Sequence, residues 1–337
     1  MLRVPPKNPF PDVLGTFMGR DAFALAVSSL GLGVDDTVLL PAYLCREVLK
    51  PFLGKTQVEF YDLGSDLTVD PEKIKLKLSK GNIKLLVIIN YFGFLQPYRK
   101  EIKTLCADKG TVLLEDCAHS LLTEGSGEVG DLSIYSFRKL LPVPDGGGLK
   151  MNMKGKKVIP DFHPKIYSNF LSALIIMKLL MNVRSEFFSR AGLSSQAKIL
   201  VPNSGIPQRN HRILPLSSFS YNGMGNVSFP EIIENRRRDY QYWQEMSERT
   251  DRFVPIFSKL PSGVCPLGCP VTVKDRDWLK SRLEEKQIFL MIHWHIPATI
   301  GNEFVNSHRL SREEATLPVF PELGRKEREE IERLLTA

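Results

Sequence analysis

The chain has 337 residues, 43% of them hydrophobic and 25% charged, which is the composition of a soluble globular protein large enough for two domains. Its 45 Lys and Arg against 38 Asp and Glu leave a net charge of +7, which suits an anionic small molecule or a weak attraction to nucleic acid equally; the one dense basic run, Arg236–Arg238, lies in a helix-like stretch, and no aromatic-interleaved basic motif supports nucleic-acid recognition. Five cysteines, an odd number in a long chain, exclude a disulfide framework, and MLRVPPKNPF has no apolar leader, so a cytoplasmic protein is expected.

Taken in order, residues 19–31 (GRDAFALAVSSLG) place Phe23, Val27 and Leu30 at helical spacing and stop at Gly31. TVLLPAY (37–43) reads as a short strand, QVEFYDL (57–63) as an alternating one, and DPEKIKLKL (70–78) as a helix opened by Asp-Pro. IKLLVIINYFG (83–93) is a continuous apolar run, the pattern of a strand covered on both faces. A helix over 97–110 then leads to a second buried strand, TVLLEDCAHS (111–120), and a third, DLSIYSFRK (131–139). Alternating strands and helices predict an α/β protein with a mostly parallel sheet, whose ligands gather at the carboxyl ends of the strands. Those ends carry Pro41–Tyr43, Asn90–Phe92, Asp116–His119 and Ser136–Lys139.

Residues 151–230 are less regular. The run LSALIIMKLLMNV (171–183) is broken by Lys178 and is shorter than the ~20 residues that span a bilayer, so it is expected to be a buried or interface helix, with no membrane partner. From about 231 a long helix begins, followed by strands at 271–273 and 288–296 and a last helix from Arg325. The expected division is a large domain over 1–230 and a small α+β domain over 231–337. The CPLGC pair, Cys265 and Cys269, lacks a second Cys/His pair, and His293 and His295 lack a third ligand, so no metal is expected.

A carboxylate directly after TVLLE needs a cationic or hydrogen-bonding partner, and Asp116 has His119 three residues on and Lys139 on the neighbouring strand end. A lysine desolvated there has a lowered pKa and can attack an aldehyde. The plainer alternative is a buried Asp–Lys ion pair closing the sheet.

EDCAHS followed by GDLSIYSFRK and DGGGL is similar to the aspartate aminotransferase-like, fold type I pyridoxal-phosphate enzymes. More narrowly, the chain resembles the DegT/DnrJ/EryC1/StrS sugar aminotransferases: GRDAFALA, VLLPAY, VIINYFG, the YN at 221–222 and HRLSREEATLPVFPEL follow in that family's order. The resemblance implies a three-layer transferase fold and pyridoxal 5'-phosphate as cofactor. By the same resemblance Lys139 joins the cofactor aldehyde and carries a proton, Asp116 pairs with the pyridine nitrogen, and His119 meets the ring or its phenolic oxygen. Ser136 and the helix start at Gly19, Arg20 and Asp21 would hold the phosphate. Cys45, or Tyr43 in its place, occupies the position that stacks on the ring. Asn222 resembles an asparagine that reaches the neighbouring subunit's phosphate, which implies a homodimer with shared sites. His293 and Trp294 resemble a pair near the substrate entrance, and Arg209, His211 and Arg212 are candidates for a nucleotide diphosphate.

The implied activity is transfer of an amino group from glutamate or glutamine to a keto sugar, with a nucleotide-linked sugar the expected acceptor. Two alternatives share the fold. One is a pyridoxal-phosphate-dependent sugar dehydratase, which Lys139 argues against because such relatives carry histidine there. The other is a non-catalytic regulator that binds the cofactor or a sugar.

Overall fold

The computed structural model describes residues 9–153, 213–286, 288–319 and 323–336. The apolar run at 171–183 and the basic residues Arg209, His211 and Arg212 lie outside them. Seven strands form the main sheet: β1 (Leu14–Thr16), β2 (Thr37–Pro41), β3 (Gln57–Tyr61), β4 (Ile83–Ile89), β5 (Val112–Asp116), β6 (Leu132–Tyr135) and β7 (Gly147–Met151). Their spatial order is β1-β7-β6-β5-β4-β2-β3. The five strands from β6 to β3 run parallel, while β7 is antiparallel to both of its neighbours.

The covering helices explain the apolar pattern. β2 is buried throughout and β4 at every position but Lys84, because both faces of the central sheet are packed. β3 is the edge, and there the sequence alternates exposed and covered residues. The intervening helices are α1 (Gly19–Ser28), α2 (Arg46–Leu49), α3 (Pro71–Lys80) and α4 (Arg99–Asp108). Asp70 caps α3 by accepting the Glu72 N–H at 3.0 Å, with Pro71 at the first helical position, as Asp-Pro predicted.

The third expected strand ends sooner than its apolar pattern suggested. β6 stops at Tyr135, and Phe137–Leu140 make one helical turn, α5, so Lys139 rides on a helical turn past the strand and not on the strand itself. The backbone bond from the Leu141 N–H to the Phe137 carbonyl, 2.8 Å, closes that turn.

The C-terminal residues build helices α6 (Ser218–Met224), α7 (Phe229–Ser247), α8 (Arg276–Glu285), α9 (Val305–Glu313) and α10 (Arg325–Thr336). They also build a three-stranded antiparallel sheet from β8 (Phe253–Pro255), β9 (Cys269–Val273) and β10 (Glu314–Leu317), with β9 central. The strand expected over 288–296 is not formed. That segment is extended, and its one bridge is between Met291 and Thr316, so His293 and His295 do not share a strand face. Its irregularity frees the segment to cross to the main sheet, where it meets Tyr43 and His119.

Other links hold these two parts in register. Asp62 accepts the Asn306 and Ser307 N–H groups, both at 3.0 Å, at the start of α9. Phe94 stacks on Phe257 with ring centroids 3.9 Å apart. Cys265 and Cys269 are both buried free thiols, in agreement with the absence of a disulfide framework. Among the described residues no helix is long and apolar enough to cross a membrane.

Candidate functional site

The predicted convergence at the strand ends occurs. β5 and β6 are parallel neighbours, with Asp116 opposite Ile134, so the residues leaving both strands emerge on one side. Asp116 is 7% exposed. One of its oxygens, Oδ1, accepts the Ala118 N–H at 2.9 Å, and the other has no hydrogen bond among the described residues. Burial pushes the Asp116 carboxyl above its ordinary range, against the pull of the Lys139 charge and the Ala118 N–H.

Lys139 faces the same opening. Its side chain keeps access to solvent while surrounding protein desolvates it. That desolvation lowers its pKa, the Asp116 carboxylate raises it in opposition, and Arg138 lowers it further. Asp116 and Lys139 influence each other electrostatically, yet no ion pair joins them. The plainer reading of a closed Asp–Lys ion pair is therefore not what the fold builds.

His119 is 2% exposed and accepts the Phe92 N–H on Nδ1 at 3.2 Å. That bond places the proton of the neutral ring on Nε2. Burial, then the charges of Lys139 and His293, hold its pKa well below the usual histidine range, so the ring is neutral at pH 7. Phe92 itself takes a left-handed backbone (φ 55°) in the turn after β4, which is what aims its N–H at the histidine.

Cys45 is partly exposed where Tyr43 is not. Its thiol sits within the electrostatic reach of both Lys139 and Asp116 and is pushed up in pKa chiefly by burial. Tyr43 is fully buried instead, its hydroxyl donating to the His293 carbonyl and its own carbonyl accepting from Tyr91 Oη at 2.6 Å. Trp294 lies against Tyr43 at 5.3 Å between centroids and stacks on His119 at 5.5 Å, 29° from parallel. His293 meets His119 edge-on at 5.7 Å, and its Nδ1 lies 2.8 Å from Thr316 Oγ1. Glu314, fully buried, accepts the His293 N–H at 2.8 Å. The pair His293 and Trp294 thus closes one wall of the Lys139–Asp116–His119 site.

The other end of the site is the start of α1. Gly19 packs so closely on β6 that a Cβ there would lie 3.2 Å from both Ser136 Cβ and the Tyr135 carbonyl oxygen. Ser136 is 5% exposed and makes no side-chain hydrogen bond among the described residues. Gly147, in the DGGGL run, is held there by close approach: an added Cβ would sit 2.3 Å from the Met18 carbonyl, which rules out any larger residue without moving the helix start.

Asp21, expected among the residues at the phosphate, is tied to the start of its own helix. It folds back to accept the Met18 N–H at 3.0 Å, and burial lifts its pKa to about 6 despite Arg20 and that hydrogen bond. A carboxyl whose folded pKa lies above its unfolded value of about 3.9 favours the folded state most when protonated. Stability is therefore expected to fall as pH rises from about 4 to about 6, and Asp21→Asn should flatten that part of a thermal-melting profile. An unchanged slope in the variant would refute the assignment.

Asn222 stands exposed on α6, away from this cluster, with its backbone carbonyl accepting from Asn226. The loop before β7 anchors that helix: buried Asp145 accepts the Ser217 N–H (2.9 Å) and Oγ (2.6 Å) and the Ser220 hydroxyl. Sequence reasoning missed this clamp and the position of Arg138. The signal for the first was an acid immediately before three glycines; for the second, a second cation beside the lysine.

Solved aminotransferase structures share the fold of this chain. The aminotransferase TlmJ of Streptoalloteichus hindustanus superposes over 96% of this chain and 85% of its own, with a TM-score of 0.70 at 19% identity. Residues 12–152 match the model of the DegT/DnrJ/EryC1/StrS aminotransferase family. The chain is 27% identical over 140 residues to a UDP-4-amino-4,6-dideoxy-N-acetyl-beta-L-altrosamine transaminase of Campylobacter jejuni, 40% of this chain and 37% of that one. It is 25% identical to the dTDP-3-amino-3,6-dideoxy-alpha-D-galactopyranose transaminase of Aneurinibacillus thermoaerophilus over 96% of this chain and 84% of that one. The chain spans 37% to 42% of the length of the first curated relatives it matches.

Proposed function

We propose that the chain is a pyridoxal-phosphate-dependent aminotransferase that moves an amino group from glutamate or glutamine to a nucleotide-linked keto sugar. The observation that carries the reading is the placement of Asp116 and Lys139: a carboxylate at the end of β5 and an amine on the turn after β6, electrostatically coupled but joined by no ion pair, with one Asp116 oxygen left without a hydrogen bond among the described residues. The residues present fit the cofactor. The free Asp116 oxygen suits a protonated ring nitrogen, and the unpartnered Ser136 hydroxyl beside the start of α1 suits its phosphate. When bound, the cofactor supplies an aldehyde and an electron-withdrawing ring.

The protein's own part follows from its pKa pattern. Lys139, with its lowered pKa, presents a larger share of free amine at neutral pH and can take a proton at Nζ from the amine-bearing carbon of the donor and return it to the acceptor. Asp116 holds negative charge where a cationic nitrogen must stay protonated. His119, neutral with its proton on Nε2, offers a hydrogen-bond donor without adding positive charge. Cys45 leaves more room over the ring than an aromatic side chain would. Trp294 and His293 wall the entrance, and residues 231–337 act as the small domain that carries them. Asn222, exposed on α6, serves a second copy's phosphate in a homodimer.

The names of relatives that act on UDP- and dTDP-linked amino sugars support a nucleotide-linked acceptor. The purified protein is expected to bind pyridoxal 5'-phosphate with a new visible absorbance band, and glutamate or glutamine should discharge that band. A protein that binds the cofactor but never responds to either donor would overturn the aminotransferase and favour the binding regulator.

A further inference from the structure

The wall formed by His293 and Trp294 is braced by a buried chain of hydrogen bonds on β10. The His293 N–H donates to Glu314 Oε2 at 2.8 Å, and the ring nitrogen Nδ1 lies 2.8 Å from Thr316 Oγ1. Thr316 Oγ1 in turn donates to Glu314 Oε1. Glu314 and Thr316 are both fully buried. The His293 N–H and the Thr316 hydroxyl both bring donors to Glu314, the surroundings of a carboxylate and not of an acid. A hydroxyl has one proton to give. Thr316 gives it to Glu314, so toward His293 it can only accept, and Nδ1 of the ring is the donor. In the neutral ring Nε2 is then bare and acts as an acceptor. It has no hydrogen bond among the described residues, although the side chain is only 12% exposed.

The adjoining imidazole is set the other way. His119 spends Nδ1 on the Phe92 N–H and keeps its proton on Nε2. The two rings meet edge-on with centroids 5.7 Å apart, so one wall of the site offers a ring donor beside a ring acceptor. The titratable and charged groups around His293 are His119, with Lys139 acting on it, and Glu314. Tyr43 donates its hydroxyl to the His293 carbonyl, Arg276 donates to the Glu314 carbonyl at 3.1 Å, and His295 is exposed. None of them makes a hydrogen bond to Nε2.

We infer that His293 is the base that takes a proton from the ammonium group of the incoming amino donor, with Thr316 and Glu314 as its positioning residues. The assignment rests on the functional reading above and deepens it. An amino-acid donor arrives as an ammonium ion, which has no lone pair and cannot attack an aldehyde carbon. His119 already holds a proton on Nε2, Lys139 is committed to the aldehyde, and the open Asp116 oxygen to the ring nitrogen. His293 Nε2 is the ring nitrogen left without a proton. In the step one ammonium N–H bond breaks, its electron pair stays on the donor nitrogen, and the proton forms a bond to Nε2. The imidazolium keeps its Nδ1 proton on Thr316 and stands 3.9 Å from the Glu314 carboxylate, which balances its charge without itself being protonated.

The tautomer is read by proton–nitrogen correlation NMR on the cofactor-free full chain with labelled histidine, the His293 signals being those absent from His293→Gln. The wild type is expected to show a protonated Nδ1 and a bare Nε2. Thr316→Val should move the proton to Nε2, and Thr316→Ser should keep the wild-type pattern. Discharge of the pyridoxal 5'-phosphate absorbance band by glutamate should slow about 10²-fold in His293→Gln. It should slow about tenfold in Thr316→Val, the size of one hydrogen bond, with cofactor affinity unchanged in both variants. Both losses should shrink as pH rises toward the pKa of the donor amine, because a free amine needs no base. A wild-type His293 with its proton on Nε2 would overturn the proposal. So would losses that stay the same at every pH, which mark a structural role. Discharge as fast in His293→Gln as in the wild type sinks the base alone; a cofactor-loaded wild type that no donor discharges sinks the aminotransferase reading with it.

Discussion

Replacing Lys139 by alanine is expected to abolish amino transfer, by about 10⁴-fold or more, while leaving the protein folded. The loss combines two roles placed on one atom, capture of an aldehyde and movement of a proton, and positioned acid–base groups alone contribute about 10²- to 10⁴-fold. Borohydride treatment of the wild type with pyridoxal 5'-phosphate should fix a label on the peptide that contains Lys139, and the variant should yield none. Label persisting on Lys150 would overturn the assignment. The same substitution separates function from stability. Lys139 is held below its ordinary pKa chiefly by desolvation, so its charged form is disfavoured in the fold relative to the unfolded chain. A lysine whose folded pKa lies below its unfolded value binds fewer protons when folded, and stability rises with pH through that window. At neutral pH the variant should therefore melt no lower than the wild type, as expected of a residue kept for chemistry at some cost to the fold.

Much of this site was legible in the order of residue types. The apolar runs at 83–89 and 112–116 read directly as buried parallel strands because both faces are covered, and that burial leaves a period-free pattern. Asp116, His119 and Lys139 could be grouped because parallel neighbours bring their carboxyl ends together. What escaped the sequence was short-range geometry. The apolar alternation of DLSIYSF continues through Phe137, so the strand seemed to reach Lys139, whereas the backbone turns at Ser136. The stretch 288–296 is as apolar as a strand, but its hydrogen bonds go to scattered partners: Thr316 for Met291 and the Glu314 carboxylate for His293. No local periodicity encodes a segment whose register is set by side chains far along the chain. Tyr43 and Cys45 stand two residues apart in one loop, and only the backbone's turn there buries Tyr43 and leaves Cys45 partly exposed.

Asp116→Asn is expected to keep the cofactor site in shape and remove its charge. The side chain is isosteric, and asparagine's carbonyl can still accept the Ala118 N–H that Asp116 Oδ1 now accepts at 2.9 Å. The group that changes is the open oxygen, which becomes an N–H₂ and can no longer hold a ring nitrogen in its protonated form. Transfer should fall by about 10²- to 10³-fold, the usual cost of removing one aimed electrostatic partner. The apo protein should be at least as stable as the wild type at pH 7. Burial raises the Asp116 pKa above its unfolded value, so stability is present below the unfolded pKa and is lost as pH rises through the folded one. A neutral isostere removes that loss. The substitution also reaches Lys139, because the Asp116 carboxylate raises the lysine's pKa against desolvation. With that charge gone the amine should deprotonate at lower pH. The pH midpoint for aldehyde capture, read by stopped-flow absorbance with pyridoxal 5'-phosphate, is expected to move to the acid side. A midpoint that stays in place, or moves to the alkaline side, would show that Asp116 and Lys139 do not face each other across a shared site.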